Sequence, residues 1–135
     1  PENNVYEVEL NFKFDRNDAP FGLDLCVGEG RRLPVRFDPS TDTFTVDRTN
    51  CADVEIEKFP MTKSEVIATD GENLHMRIFV DQSSVEIFLE EGRHSFSFLT
   101  YPSENQCGLE FYSEGKGPRC SYRIWPLESI WKKND

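Results

Sequence analysis

At 135 residues the chain is expected to form one domain, residues 1–135, large enough to bury about two-thirds of its unfolded surface. Its net charge of −10 argues against nucleic acid or an anionic membrane as partner, because both require clustered Lys and Arg. No apolar run approaches the roughly 18 residues needed to cross a membrane as a helix. A start at Pro1 is expected of a trimmed chain, so the missing leader says nothing about export.

Tyr6, Val8, Leu10, Phe12 and Phe14 alternate with Glu7, Glu9, Asn11 and Lys13, the period-2 pattern of a half-buried strand. After the polar break Asp15–Pro20, the same pattern returns in Phe21, Leu23, Leu25 and Val27 and stops at Gly28-Glu29-Gly30. Arg31-Arg32 reads as a solvated turn. A strand over residues 33–37 contains Pro34, which predicts an edge position or a bulge, since proline has no N–H for the ladder. Asp38-Pro39-Ser40-Thr41-Asp42 has the composition of a turn, and residues 43–48 should pair back on the preceding strand. Residues 49–71 are the least patterned. Val54-Glu55-Ile56 and Val66-Ile67 suggest short strands in a long connection between sheets.

The clearest stretch is residues 74–89. Leu74, Met76, Ile78 and Val80 precede the turn Asp81-Gln82-Ser83-Ser84, and Val85, Ile87 and Leu89 follow it. This predicts a β-hairpin with an aliphatic core face and a second face carrying Arg77, Phe79, Glu86 and Phe88. Further strands are expected at 95–99, 107–112 and 120–125, the last two as a hairpin turning near residues 113–118. About ten short strands and no helical period predict an all-β, two-sheet antiparallel β-sandwich. Four cysteines, Cys26, Cys51, Cys107 and Cys120, permit three full disulfide pairings but show no metal-ligand spacing, and small buried thiols are the favoured reading. Neither they nor His75 and His94 imply a metal or any other cofactor.

The run Ile78-Phe79-Val80-Asp81-Gln82-Ser83-Ser84-Val85-Glu86-Ile87-Phe88 closely resembles a signature of the C-terminal β-sandwich module of family 32 glycoside hydrolases, the invertases, levanases and inulinases. Phe37-Asp38-Pro39, Val46-Asp47-Arg48, Gly108–Tyr112 and Ile124–Leu127 fit the same pattern in order. The sequence departs from it at Gln82, where Arg is usual, and at Glu90-Glu91-Gly92, where Asn-Asp-Gly is usual. The resemblance implies a jelly-roll-like sandwich. It also implies that the catalytic acids belong to an N-terminal propeller, whose N-D-P-N-G, R-D-P and E-C motifs are absent here.

Asp81 and Glu86 are close enough in sequence to suggest an acid/base pair, but an Asp that opens a turn normally bonds its own backbone amides. Without the propeller motifs, an enzyme is not expected. The functional expectation is a non-catalytic carbohydrate-binding module for fructans or terminal fructosyl units. Arg48, Asp81, Glu86, Tyr112 and Glu114 are its candidate ligand-binding residues. Carboxylates and a guanidinium suit vicinal hydroxyls, and an aromatic ring supports the sugar face. A bland alternative makes Arg48 and Glu86 an ordinary cross-strand ion pair. The second functional expectation is a docking domain, in which Phe79 and Phe88, joined by Arg123 and Trp125, pack against a catalytic β-propeller.

Overall fold

The computed structural model describes residues 5–51, 62–100, 102, 105–115 and 117–127. Within them lie ten strands: β1 (Tyr6–Lys13), β2 (Phe21–Gly28), β3 (Arg31–Asp38), β4 (Thr43–Asp47), β5 (Thr62–Val66), β6 (Asn73–Val80), β7 (Ser84–Leu89), β8 (His94–Leu99), β9 (Gly108–Ser113) and β10 (Arg119–Pro126). They form two antiparallel five-stranded sheets in the orders β10-β1-β6-β7-β8 and β5-β4-β3-β2-β9. The fold is the β-sandwich that the alternating pattern predicts.

Alternation decides what each sheet buries. Tyr6, Val8, Leu10 and Phe12 of β1 face inward with Leu74, Met76, Ile78 and Val80 of β6 and Val85, Ile87 and Leu89 of β7. The second sheet answers with Phe21, Leu23, Leu25, Leu33, Val35, Phe37, Phe44 and Val46. Aromatic clusters fill two regions of this core. Phe21 lies 5.0 Å from Phe12, 5.7 Å from Phe14 and 5.7 Å from Phe37, while Phe44 meets Phe96 at 5.0 Å.

The two open sides of the sandwich differ. At one, the edge strands β5 and β8 are bridged by His94 Nδ1 to Glu65 Oε1 at 3.0 Å and by Lys63 Nζ over the Phe96 ring at 5.0 Å. At the other, edge strands β9 and β10 leave Phe111, Tyr122 and Ile124 exposed, with the Phe111 and Tyr122 rings 4.9 Å apart.

Four local expectations change. Strand β3 is internal, and Pro34 pairs with Asp24 of β2. Proline is tolerated because the β3–β4 ladder begins at Val35, so no bond from position 34 is lost on that side. The bulge falls instead between Leu25 and Gly28. Arg31-Arg32 opens β3, and Arg32 reaches Asp24 Oδ2 at 2.6 Å. Strands β9 and β10 are not a hairpin, because β9 pairs with β2 and β10 with β1, in different sheets. The unpatterned connection contains β5, paired to β4 before the chain crosses to β6; residues 54–56 lie outside the described residues. Cys26 and Cys51 are buried free thiols, and Cys107 and Cys120 are free and half-buried.

Candidate functional site

Strand register brings the polar and aromatic side chains of the first sheet's outer face into rows, since directly paired residues share a face. One row runs Trp125, Glu7, Phe79, Glu86, Ser97, and the next Arg123, Glu9, Arg77, Phe88, Ser95. The Phe79 and Phe88 rings meet edge to face at 5.8 Å. Beside them Arg77 is held by two carboxylates, with Nε 3.1 Å from Glu7 and Nη2 2.7 Å from Glu9. That Arg77 hydrogen bond holds the Glu9 carboxyl below its ordinary range. His75 Nε2 stands 3.6 Å from Glu9, and its Nδ1 is buried with no hydrogen-bond partner among the described residues. Together Glu9, His75, Arg77, Phe79, Phe88, Glu91 and Gly92 line an open hollow of about 560 Å³. The expected face of Arg77, Phe79, Glu86 and Phe88 therefore exists. Glu7, Glu9, His75 and Glu91 are not legible from sequence as members of this face, because their membership depends on which strands become neighbours.

The five candidate ligand-binding residues fall in three places. Arg48, just beyond β4, and Glu86 on β7 line one groove of about 620 Å³ beside the bridged side of the sandwich, with Thr62, Lys63, Ser64, Ser84, Ser97, Phe98 and Leu99. Arg48 is 3% exposed; its Nη1 donates to the Leu99 carbonyl at 2.9 Å, and its guanidinium lies 5.7 Å from the Phe98 ring centre. Arg48 and Glu86 belong to different sheets, so they are not a cross-strand pair.

Asp81 opens the β6–β7 turn, and its Oδ1 accepts the Gln82 N–H at 2.7 Å, the turn role weighed from the sequence. Tyr112 and Glu114 lie on the outer side of the second sheet. The Tyr112 hydroxyl donates to Glu114 Oε1 at 2.8 Å, which together with burial pushes the phenol's pKa up. Arg36 covers the Tyr112 ring at 3.6 Å, and Gly22, paired to both residues, leaves room for that stack. Arg36 also stands 2.8 Å from the buried Asp24, while its Nη1–H groups point at the carbonyls of Leu23 and Val35.

Residues 1–126 match the family described as "Glycosyl hydrolases family 32 C terminal". The chain belongs to that family. Among relatives of this family 32 C-terminal domain, a levanase of Bacillus sp. (strain L7) is 31% identical over 97% of the chain and 15% of the levanase. The levanase of Bacillus subtilis (strain 168) is 30% identical over 94% of the chain and 19% of the enzyme. Exo-inulinase from Aspergillus awamori superposes with a TM-score of 0.85 at 23% identity, covering 95% of this chain and 26% of that one. The domain thus spans less than a fifth of either levanase and about a quarter of the inulinase.

Proposed function

We propose that the domain is a non-catalytic module that packs its outer first-sheet face against the catalytic part of a fructan-cleaving enzyme. The observation carrying this reading is the half-buried Phe79–Phe88 pair, surrounded by the Glu7–Arg77–Glu9 ion pairs and continued through Glu7 toward the exposed Trp125. Aromatics and arginine within a charged frame are the composition of a protein interface. The occupant is the portion of the relatives that this chain does not span, more than four-fifths of each levanase. To test it, the chain is mixed with the Bacillus sp. levanase lacking its matching segment, and complex formation is followed by sedimentation. A complex lost on Phe88→Lys supports the reading; a folded chain that never sediments with the enzyme overturns it.

A second reading is favoured by the groove shared by Arg48 and Glu86. Four hydroxyl side chains, Thr62, Ser64, Ser84 and Ser97, surround one carboxylate, one ammonium and the Phe98 ring, a lining that suits a neutral polyol such as a fructosyl end. Affinity in the micromolar to millimolar range is expected of so open a groove, because few atoms are desolvated. Calorimetric titration with fructose, sucrose, levan and inulin tests it, with Glu86→Ala as the control. Saturable heat that the variant loses supports sugar binding, and flat titrations with all four overturn it.

A further inference from the structure

We infer that the hollow above Phe79 and Phe88 receives an arginine side chain from the docking partner, with Glu91 as its counter-charge. The inference rests on the docking reading above and assigns the chemistry of the contact.

Charge accounting within the hollow leads to it. Its cation, Arg77, is already shared between Glu7 and Glu9. Glu9 is in turn engaged by Arg77 and faces His75. Glu91 lines the same hollow, is exposed, and has no ion-pair partner among the described residues. The uncompensated charge is therefore negative, on a chain whose net charge is −10. Such a site draws a cation from its partner and repels an acid.

Backbone geometry separates Glu91 from its neighbour. Glu90 and Glu91 both adopt left-handed conformations, with φ of 52° and 59°, which side chains bearing a Cβ disfavour. For Glu90 the fold supplies compensation: its carboxylate accepts the His75 N–H at 2.9 Å, and its own N–H donates to the His75 carbonyl at 3.0 Å. Glu91 has no corresponding bond among the described residues. It lines the hollow together with Phe79 and Phe88, whose rings meet at 5.8 Å.

Arginine fits this lining better than other groups. Its planar guanidinium stacks on aromatic rings and pairs bidentately with a carboxylate, and its aliphatic stem tolerates the apolar wall. A sugar would find few free directed partners, because Glu9 and Arg77 are paired and His75 Nδ1 is buried.

The test is an amide-resolved NMR titration of the 135-residue chain with N-acetyl-arginine methylamide, and with its lysine counterpart for comparison. Saturable shifts at about millimolar probe, confined to His75, Arg77, Phe79, Phe88, Glu91 and Gly92, are expected. Glu91→Gln should weaken them roughly threefold, the scale of an exposed ion pair, and the lysine probe should bind less well. Phe88→Ala, which keeps every charge, should weaken them too. Absent shifts, shifts spread over the acidic surface and indifferent to Glu91→Gln, or a fructosyl oligosaccharide saturating the same amides more tightly would each overturn the inference. The docking reading fails separately: a complex with the truncated levanase that ignores Glu91→Gln sinks the arginine contact alone, whereas arginine binding without any such complex sinks the docking reading and leaves the guanidinium site standing.

Discussion

Arg48 is a guanidinium whose role depends on a strand far from it in sequence. In the sequence it ends a strand within a recognisable Val-Asp-Arg run, a place that suits a sugar ligand. In the fold its Nη1 donates to Leu99, fifty-one residues later and on the opposite sheet, while the residue also lines the groove. Replacing it would leave the part-buried Leu99 carbonyl without that donor, at a cost of about 1 kcal/mol, so a loss of binding in an Arg48 variant would confound folding with recognition. Glu86, exposed on β7, is the cleaner probe. Tyr112 was legible as an aromatic near an acid, but the Arg36 stack on its ring was not, because that stack depends on β2 lying between β3 and β9. Gly22 is what permits it. A Cβ at Gly22 would stand 2.0 Å from the Val35 carbonyl oxygen and 3.2 Å from the Arg36 Cα, contacts that only a backbone shift relieves. Gly22→Ala should therefore lower stability by about 3 kcal/mol in urea denaturation, toward the upper end for overpacking. A loss under about 1 kcal/mol would mean that the β2–β3 ladder yields at little cost, and that the stack does not require glycine.

At the scale of elements, strands with clean alternation were readable and their pairing only partly so. β1, β2, β6 and β7 follow directly from side-chain period, since a strand with one dry face must alternate. The short strand expected at Val66-Ile67 meets β5 only at its last residue, because all five residues of β5 are exposed: an edge strand with neither face in the core has no hydrophobic period to read. The supposed β9–β10 hairpin failed for a related reason. A short connection between strands fits either a turn within one sheet or a step across the sandwich, and the sequence marks both alike. What the pattern does settle is the core. Phe21 is fully buried among Phe12, Phe14 and Phe37, so Phe21→Ala should cost about 3–5 kcal/mol. Val66→Ala, on the exposed β5, should stay within about 0.5 kcal/mol. Equal losses at the two positions would contradict the layer assignment.

For the whole molecule, the eleven-residue run around the β6–β7 turn made the family and the sandwich legible, while the choice between sugar groove and docking face depends on surfaces assembled from strands distant in sequence. The same assembly governs the response to acid. Twenty-five acidic against fifteen basic residues leave the chain repelling itself at neutral pH, and added salt should raise its melting temperature by screening. Among the described residues, Glu9 and Asp47 have lowered carboxyl pKa values. Glu9 is held low by its Arg77 hydrogen bond. For Asp47 burial works upward, but hydrogen bonds from the Thr49 hydroxyl and amide and the Thr62 hydroxyl prevail and lower it. A carboxyl whose folded value lies below its unfolded one binds protons more readily in the unfolded chain. Its contribution is therefore complete above the ordinary carboxylate range, near pH 4.5, and disappears as pH falls through the depressed folded value. Melting temperature should thus be nearly flat from pH 8 to about 5 and fall below about pH 4. Arg77→Met gives Glu9 back its ordinary affinity for protons. The variant should melt below the unaltered chain at pH 7, and the gap should narrow on acidification as Glu9 becomes protonated in both. A gap that stays constant from pH 7 to 3 would mean that Arg77 supports the face by packing its stem against Phe79 and Phe88, with no part played by the Glu9 pair.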